Sequence, residues 1–348
     1  MNALLKPVAT RTALPSPAQL RGELPLDTAL RARVAEHRRQ IRAVLNGEDS
    51  RLLVIVGPCS LHDPIAALNY ADLLAELAPK VADQLLLVMR AYVEKPRTTV
   101  GWKGLVYDPH LDGSADMAQG LRLSRELMLE MIKRDLPVAS ELLQPLVTPY
   151  LEDLLSWAAI GARTTESQIH REMVSGLAMP VGFKNGTDGS VAIACDAIRS
   201  AAAAHQHLAV DAHGQLAMVE TLGNSDTHLV LRGGHQGPNY DAQAVANACQ
   251  QLAKQGIAAR VIVDCSHANS GKDPAQQPKV LAEVVRQRVA GQVSLRGVML
   301  EGHLFEGAQA LGADLQYGVS VTDACLGFAQ TESILLNAAA QLRAAKAL

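Results

Sequence analysis

The chain has 348 residues, of which 48% are hydrophobic and 19% charged, so it can bury a large core and is not intrinsically disordered. Its formal net charge of -3 excludes a global electrostatic attraction to nucleic acid or to an anionic membrane. Five cysteines, an odd number scattered along the chain, argue against a disulfide framework. With no apolar run of transmembrane length and no secretory signal, the sequence predicts a soluble, cytoplasmic protein.

The first 50 residues are predicted to form an N-terminal extension. Four prolines within residues 1–27 predict an extended arm. The next segment, from Asp27 to Leu45, has the apolar spacing of an amphipathic helix, and Gly47 is predicted to end it. We expect this extension to dock on the rest of the chain, with an oligomer contact or a regulatory arm as alternatives.

From residue 51 to 348 the sequence alternates between strand-like and helix-like segments. The predicted strands are 52–57, 85–92, 138–142, 158–161, 180–183, 228–232, 260–264 and 295–300. The predicted helices are 65–79, 120–134, 149–157, 166–176, 190–204, 242–255, 276–290 and 322–346. Eight alternations predict an α/β protein with a (β/α)8 TIM barrel, and a doubly wound open sheet is the alternative. No glycine-rich nucleotide-binding loop is found.

Two stretches interrupt the alternation. Residues 206–224 alternate polar and apolar side chains, which predicts a β-hairpin inserted before the sixth strand. Residues 303–321 form a long loop that contains several glycines, between the eighth strand and the last helix. Loops of this length in compact domains are usually functional or regulatory.

Six cationic residues follow the predicted strands. They are Arg90, Lys95, Arg97, Arg163, Lys184 and Arg232. Each alone is most simply a solvated surface charge, but in a barrel all six would meet at one end. A cluster of like charges persists where anions occupy it, so the pattern predicts two phosphorylated substrates, or a phosphate together with a carboxylate.

A second group of strand-end residues has the chemistry of metal ligands. It comprises Cys59, His267, Glu301 and, before the last helix, Asp323. A thiolate, an imidazole and two carboxylates suit one divalent transition metal, Mn²⁺, Fe²⁺, Co²⁺ or Zn²⁺, better than Mg²⁺ or Ca²⁺. The alternatives are a buried apolar cysteine, a core histidine, an ion-paired glutamate and an N-cap aspartate.

Five sequence blocks closely resemble class I 3-deoxy-D-arabino-heptulosonate 7-phosphate (DAHP) synthases. The blocks are GPCS at 57–60, EKPRTTVGWKG at 94–104, GARTTESQ at 161–168, PVGFKNGTDG at 180–189 and DCSH at 264–267. The resemblance runs from about residue 28 to the C-terminus. It implies a (β/α)8 barrel that condenses phosphoenolpyruvate, erythrose 4-phosphate and water, the first step of the shikimate pathway.

The resemblance also implies roles for individual residues. The four candidate metal ligands keep that role, and phosphoenolpyruvate would be held by Arg90, Lys95, Ala162, Arg163, Lys184 and Arg232. Arg97 and Thr98 would receive the phosphate of erythrose 4-phosphate. Lys95, with a pKa expected to be lowered by neighbouring cations, and His267 are candidate catalytic residues. A metal-bound water competes with them as proton donor.

Feedback regulation is a further implication of the resemblance. Similar enzymes use an N-terminal arm and an inserted hairpin to bind an aromatic amino acid and to form homodimers or homotetramers. The effector site would include Leu142, Gln144, Leu177 and Ala178. Residues 179–180 and 317–323 favour the tyrosine-sensitive branch, although Ala178 replaces the usual serine.

Two rival functions are weighed against this one. A regulatory barrel that binds sugar phosphates without turnover predicts broken metal ligands, and none of the four is replaced. A class II metal aldolase acting on another phosphorylated aldehyde needs only one phosphate site, whereas six strand-end cations indicate more anionic charge.

Overall fold

The computed structural model describes residues 12–346, and none of the helices in this range is long and apolar enough to cross a membrane. The strands are Leu52–Gly57 (β1), Leu85–Arg90 (β2), Val138–Glu141 (β3), Trp157–Ile160 (β4), Val181–Lys184 (β5), His205–Val210 (β6), Leu216–Thr221 (β7), Thr227–Leu231 (β8), Val261–Asp264 (β9), Leu295–His303 (β10) and Leu326–Gly327 (β11). The helices are Pro17–Glu23 (α1), Thr28–Asn46 (α2), Pro64–Val81 (α3), Met117–Lys133 (α4), Thr148–Leu151 (α5), Gln168–Ser175 (α6), Val191–Ala201 (α7), Ala242–Lys254 (α8), Gln277–Val289 (α9) and Phe328–Lys346 (α10).

Eight parallel strands close into a barrel. β1 to β5, β8, β9 and β10 pair in that order, and β10 returns to pair with β1. Most of these strands are short and buried along their whole length, as expected when side chains fill the interior and helices cover the outside. The (β/α)8 prediction is confirmed, and ring closure excludes the open sheet.

The inserted hairpin is also confirmed. β6 and β7 pair antiparallel from His205 opposite Thr221 to Val210 opposite Leu216. Alternate residues along most of both strands are exposed, as expected for a hairpin with one face toward solvent, and the exposed face includes Leu208, Leu216 and Met218. The hairpin contacts α6 on the outside of the barrel.

The predicted extended arm over residues 1–27 is wrong in part. Residues 1–11 lie outside the described part of the chain, but Pro17–Glu23 is a helix. Ser16 caps it in a reciprocal pair with Gln19, and Pro17 occupies the first turn, where a missing N–H costs nothing. The proline taken as a helix breaker therefore begins a helix.

Two other predicted helices have different bounds. In the predicted helix 149–157 only one helical turn forms, which is α5. The chain must reach β4, which the buried Trp157 begins, so the helix ends well before that residue. The last helix begins at Phe328 rather than at residue 322. Asp323 lies in the loop before that helix, which excludes the alternative that it is an N-cap.

Helix α2 closes the amino-terminal end of the barrel. The Asp27 side chain accepts a hydrogen bond from the Leu30 N–H at 2.8 Å, and Gly47, with φ of 82°, ends the helix in the left-handed conformation. Side chains from α2 join the interior core at this end, namely Ile41, Val44 and Leu45 with Leu53, Ile55, Trp157, Val230 and Met299. The amino-terminal end is thus filled, which leaves the other end for a site.

Candidate active site

A polar cavity of about 230 Å³ lies at the carboxyl ends of the barrel strands. Its walls carry Lys95, Arg97, Arg163, Lys184, Arg232 and Lys272, together with Ala162, Thr98 and the carboxylates of Glu141 and Asp323. Five of the six predicted strand-end cations therefore share one cavity. Lys272 was not among the candidates, although it follows His267 by only five residues.

Arg90, the sixth predicted cation, is completely buried and does not line this cavity. Its Nη2 contacts Glu301 Oε1 at 2.8 Å, and its guanidinium lies 3.5 Å from the centre of the Tyr92 ring. Its Nη1 is buried without a hydrogen-bond partner among the described residues. Because an unpaired buried donor costs free energy, Nη1 is a group that a bound anion would satisfy.

Three of the four candidate metal ligands lie together. The Cys59 sulfur and one carboxylate oxygen each from Glu301 and Asp323 are all within 4.8 Å of one another. The pairing of β1 with β10 places Gly57 opposite Glu301, so Cys59 leaves the sheet beside that carboxylate. A buried thiol among two carboxylates is a donor set of mixed softness, which fits a transition metal.

His267 lies outside this cluster. Its Nδ1 is 2.8 Å from Asp264 Oδ2 and 2.9 Å from Ser266 Oγ, and its backbone is left-handed with φ of 54°. It nevertheless lines the polar cavity and a small crevice that it shares with Glu301 and Asp323. A carboxylate bonded to Nδ1 fixes the orientation of the imidazole ring, so Nε2 remains available to bind a metal.

Burial and nearby charges shift the pKa values of two members of the cluster, Cys59 and Asp323. Burial raises the pKa of the Cys59 thiol and Glu301 raises it further, against the opposing effect of Lys95, whose Nζ lies 3.1 Å from the sulfur. Burial would also raise the pKa of Asp323, but Lys95, His267 and Lys272 bring it below its usual value.

The expectation that the pKa of Lys95 lies below its usual value is wrong. Burial and the neighbouring Arg90 do lower it, but Cys59, Glu301 and Glu141 together outweigh them, and the pKa lies above its usual value. The sequence placed Lys95 among cations, whereas the structure places its ammonium group against a thiol and a carbonyl of Cys59.

A buried carboxylate that the sequence analysis passed over joins two candidate sites. Asp264 is fully buried, and its Oδ2 contacts both Lys184 Nζ at 2.9 Å and His267 Nδ1. Burial alone would raise the pKa of Asp264, but His267 and Lys184 hold it well below its usual range. Its position as the last residue of β9, three residues before a candidate ligand, was the available signal.

The two residues assigned to erythrose 4-phosphate lie on the exposed loop after β2. Arg97 Nε donates to the Trp102 carbonyl at 2.6 Å. The Thr98 hydroxyl accepts a hydrogen bond from Arg163 Nη2 at 3.2 Å. This loop therefore meets the residues that follow β4 at the mouth of the cavity.

A second cavity, of about 520 Å³ and mostly apolar, lies outside the barrel against the hairpin. Gln144 and Leu177, two of the four candidate effector residues, line it. Leu142 is buried away from it, and Ala178 lies outside its lining with its carbonyl bonded to Arg42. Strands β6 and β7 form one wall, and Arg21 and His170 contribute polar groups.

Comparison with known proteins shows the family to which this chain belongs. The sequence pattern of the DAHP synthetase I family matches residues 28–336. The Tyr-sensitive phospho-2-dehydro-3-deoxyheptonate aldolase of Escherichia coli is 49% identical over 94% of this chain and 93% of its own length. The Phe-sensitive enzyme of the same organism is 51% identical over 89% of both chains.

A solved structure extends the likeness to three dimensions. Phospho-2-dehydro-3-deoxyheptonate aldolase from Francisella tularensis superposes with a TM-score of 0.95 at 41% identity, covering 97% of this chain and 99% of its own. Family pattern, relatives and structure agree over nearly the whole length. The chain therefore belongs to the DAHP synthetase I family of enzymes.

Proposed function

We propose that this enzyme condenses phosphoenolpyruvate with erythrose 4-phosphate and water to give DAHP and inorganic phosphate, which opens the shikimate pathway. The observation that carries the proposal is one cavity lined by six cations and by Asp323, whose carboxylate belongs to the cluster with the Cys59 thiol and Glu301. The cations suit two phosphorylated substrates, and the cluster suits a metal that activates a carbonyl group.

We assign phosphoenolpyruvate, as the more deeply bound of the two substrates, to the floor of the cavity. Lys95 and Lys184 are 7% and 3% exposed, and Arg163 and Arg232 stand above them without a carboxylate partner among the described residues. Together with the Ala162 backbone and with Arg90 below, they match the phosphate and carboxylate of phosphoenolpyruvate. Binding there would hold the enol carbon in one place for attack on the second substrate.

The phosphate of erythrose 4-phosphate is assigned to Arg97 and Thr98. Cys59, Glu301 and Asp323, with Nε2 of His267, would hold one divalent metal such as Mn²⁺, Fe²⁺, Co²⁺ or Zn²⁺. When bound, the metal would supply Lewis-acid activation of the aldehyde. Lys95 and His267, which both line the cavity, are our two candidates to hold or move a proton beside the reacting carbons; His267 can serve in this way only while its Nε2 is free of the metal.

A coupled assay of phosphate release from phosphoenolpyruvate tests this function. We expect release only when erythrose 4-phosphate is present, loss of turnover after chelation, and recovery with a divalent transition metal. Binding without turnover would support the sugar-phosphate-binding rival instead. Aldol addition to a phosphorylated aldehyde without phosphate release from phosphoenolpyruvate would support the class II aldolase.

We further propose that an aromatic amino acid, with tyrosine favoured, binds the cavity beside the hairpin and inhibits the enzyme. The apolar wall suits an aromatic ring, and Arg21, Glu152 and His170 are polar groups within reach of an amino acid backbone. The similar enzymes include a Tyr-sensitive and a Phe-sensitive one. Initial rates measured with tyrosine, phenylalanine and tryptophan added separately therefore decide which amino acid inhibits this enzyme. Inhibition by none of the three refutes the site.

A homodimer or homotetramer is the assembly we propose, with residues 1–50 as a unit of contact or regulation and 51–348 as the catalytic barrel. The outer face of the hairpin exposes Leu208, Leu216 and Met218, which a partner subunit would bury. Light scattering after gel filtration tests this, and a monomer at micromolar concentration contradicts it. Five cysteines, all unpaired, support a cytoplasmic location.

A further inference from the structure

Lys272 is a cation at the mouth of the polar cavity to which no role has yet been given. It is exposed and lines the cavity, the crevice beside His267 and Asp323, and an outer groove of about 570 Å³. Its ammonium group forms no ion pair with any carboxylate of residues 12–346. Lys184, by contrast, is paired with Asp264 at the floor.

The backbone fixes Lys272 relative to His267. Gly271 and Lys272 are both left-handed, with φ of 62° and 65°, which is unusual for a lysine. The Lys272 N–H donates to the His267 carbonyl at 2.7 Å, which closes the turn after β9. A strained conformation of this kind persists where the surrounding structure enforces it, and such positions concentrate at functional sites.

The charge around Lys272 favours an anion. The groove on its outer side is lined by Lys279 and His235 as well, and it includes no acidic side chain. On the side of Lys272 that faces the cavity, the crevice is also lined by the candidate metal ligands His267 and Asp323. The aldehyde carbonyl is proposed to bind at this wall. A lysine beside that wall would meet the other, phosphorylated end of the aldehyde as it extends toward the mouth.

Resting on the proposed function, we propose that Lys272 is a further substrate-binding residue, which contacts the phosphate of the phosphorylated aldehyde. The floor lysines are buried and serve the deeper substrate, whereas Arg97, Thr98 and Lys272 are exposed at the mouth. A phosphate dianion bound only by Arg97 would keep half of its charge uncompensated, and Lys272 supplies the second cation.

Steady-state kinetics of K272M tests this inference, with each substrate varied while the other is saturating. We expect KM for erythrose 4-phosphate to rise about tenfold, while KM for phosphoenolpyruvate and kcat change less than about twofold. K272R should bring KM for the aldehyde back to within about threefold of wild type. The rise should shrink as salt is added, because salt screens a charge contact at an exposed mouth.

The matched control is K279M, which removes a lysine from the same groove but not from the substrate cavity. It should leave both KM values unchanged. An active wild type whose K272M variant keeps its KM for erythrose 4-phosphate overturns the inference alone, as does an equal rise in both KM values. A wild type without turnover overturns the proposed function and the inference with it. Because Lys272 is exposed, K272M is expected to fold, and K272Q is a second variant with the same expected outcome.

Discussion

The two ends of the barrel use arginine in opposite ways. At the amino-terminal end, Arg33, Arg38 and Arg42 of α2 donate to main-chain carbonyl groups of residues outside α2. At the carboxyl end, Arg163 and Arg232 bond only to a hydroxyl and a neighbouring carbonyl, and their charges have no carboxylate partner among the described residues. The arginines of α2 thus stabilise the fold at the amino-terminal end, whereas Arg163 and Arg232 have no counter-charge at the carboxyl end.

This difference separates structural charges from functional ones. A guanidinium group that donates to carbonyls is satisfied in the free protein, so its loss should appear in stability. Clustered cations without counter-charges repel each other and destabilise the free protein, and only a bound anion relieves that cost. Substitutions at the carboxyl end should therefore change metal binding and catalysis, whereas substitutions at the amino-terminal end should change stability alone.

The largest effect is expected for Cys59→Ala. Removing the thiol takes the soft donor from a cluster whose other members are carboxylates. We expect metal content per chain to fall close to zero, and kcat/KM to fall by at least about a thousandfold, when both are measured after gel filtration.

Cys195→Ala is the matched control, because that cysteine is also buried but lies in α7 on the outside of the barrel. It should keep full metal content and activity. A Cys59→Ala protein with normal metal content and activity would show that the cluster of a thiol and two carboxylates is not the metal site.

The next largest effect is expected for Asp264→Ala. This variant tests whether an ion-paired side chain at the catalytic end contributes to stability as well as to activity. It would leave Lys184 buried without its partner and free the ring of His267. We expect the free energy of unfolding to fall by about 3 kcal/mol and kcat/KM to fall about a hundredfold. Urea denaturation and steady-state kinetics measure the two effects.

Asp264→Asn separates the two contributions, since the amide keeps a hydrogen-bonding group without the charge. It should recover part of the stability while activity stays low. An Asp264→Ala variant that loses stability but keeps activity would place Asp264 with the structural charges of the opposite end.

A smaller effect, confined to stability, is expected from protonation of His228 at the amino-terminal end. Trp157 Nε1 donates to its Nε2 at 3.0 Å, and its Nδ1 lies 3.1 Å from the Asp226 carbonyl. Because tryptophan only donates, the neutral ring satisfies both contacts and a second proton would have no acceptor. Burial, aided by the charge of Arg260, lowers the pKa of His228 to about 4.

The sign of the pH dependence follows from this lowered pKa. Above about pH 6.5 His228 is neutral in both states; below it, the unfolded chain binds a proton that the folded chain refuses until about pH 4. The free energy of unfolding should therefore fall by up to about 3 kcal/mol across this window as pH decreases. In His228→Gln the decrease of the free energy of unfolding between about pH 6.5 and pH 4 should be smaller by this amount. An identical pH dependence in both proteins would contradict the assignment of this effect to His228.

Much of the fold was predictable because a buried parallel strand leaves a short, continuous apolar run in the sequence. The prediction failed where local pattern and tertiary position disagree. Trp157 continues a helix-like spacing, but burial in the barrel interior makes it the start of β4. Residues 322–327 also look helical, yet they form the loop and short strand that bring Asp323 back over the barrel.

The candidate site was predictable in position but not in detail. Strand ends converge in any barrel, and so Cys59 and Glu301 could be expected to meet before their register was known. The orientation of His267 toward Asp264 depends on a left-handed backbone that the sequence does not reveal. The pKa of Lys95 likewise depends on which of its neighbours lies nearest, and the sequence does not reveal that the Cys59 sulfur lies 3.1 Å away.

The smallest effect is expected for Arg42→Gln, the variant that most directly tests the contrast between the two ends. Arg42 pairs with Asp226 at a partly exposed position, where solvent screens the charges. We expect the free energy of unfolding to fall by about 1 kcal/mol or less, with kcat and both KM values unchanged. A double-mutant cycle with Asp226→Asn isolates the pair. If instead kcat/KM falls while stability holds, arginines at the amino-terminal end also serve catalysis, and the division between the two ends is wrong.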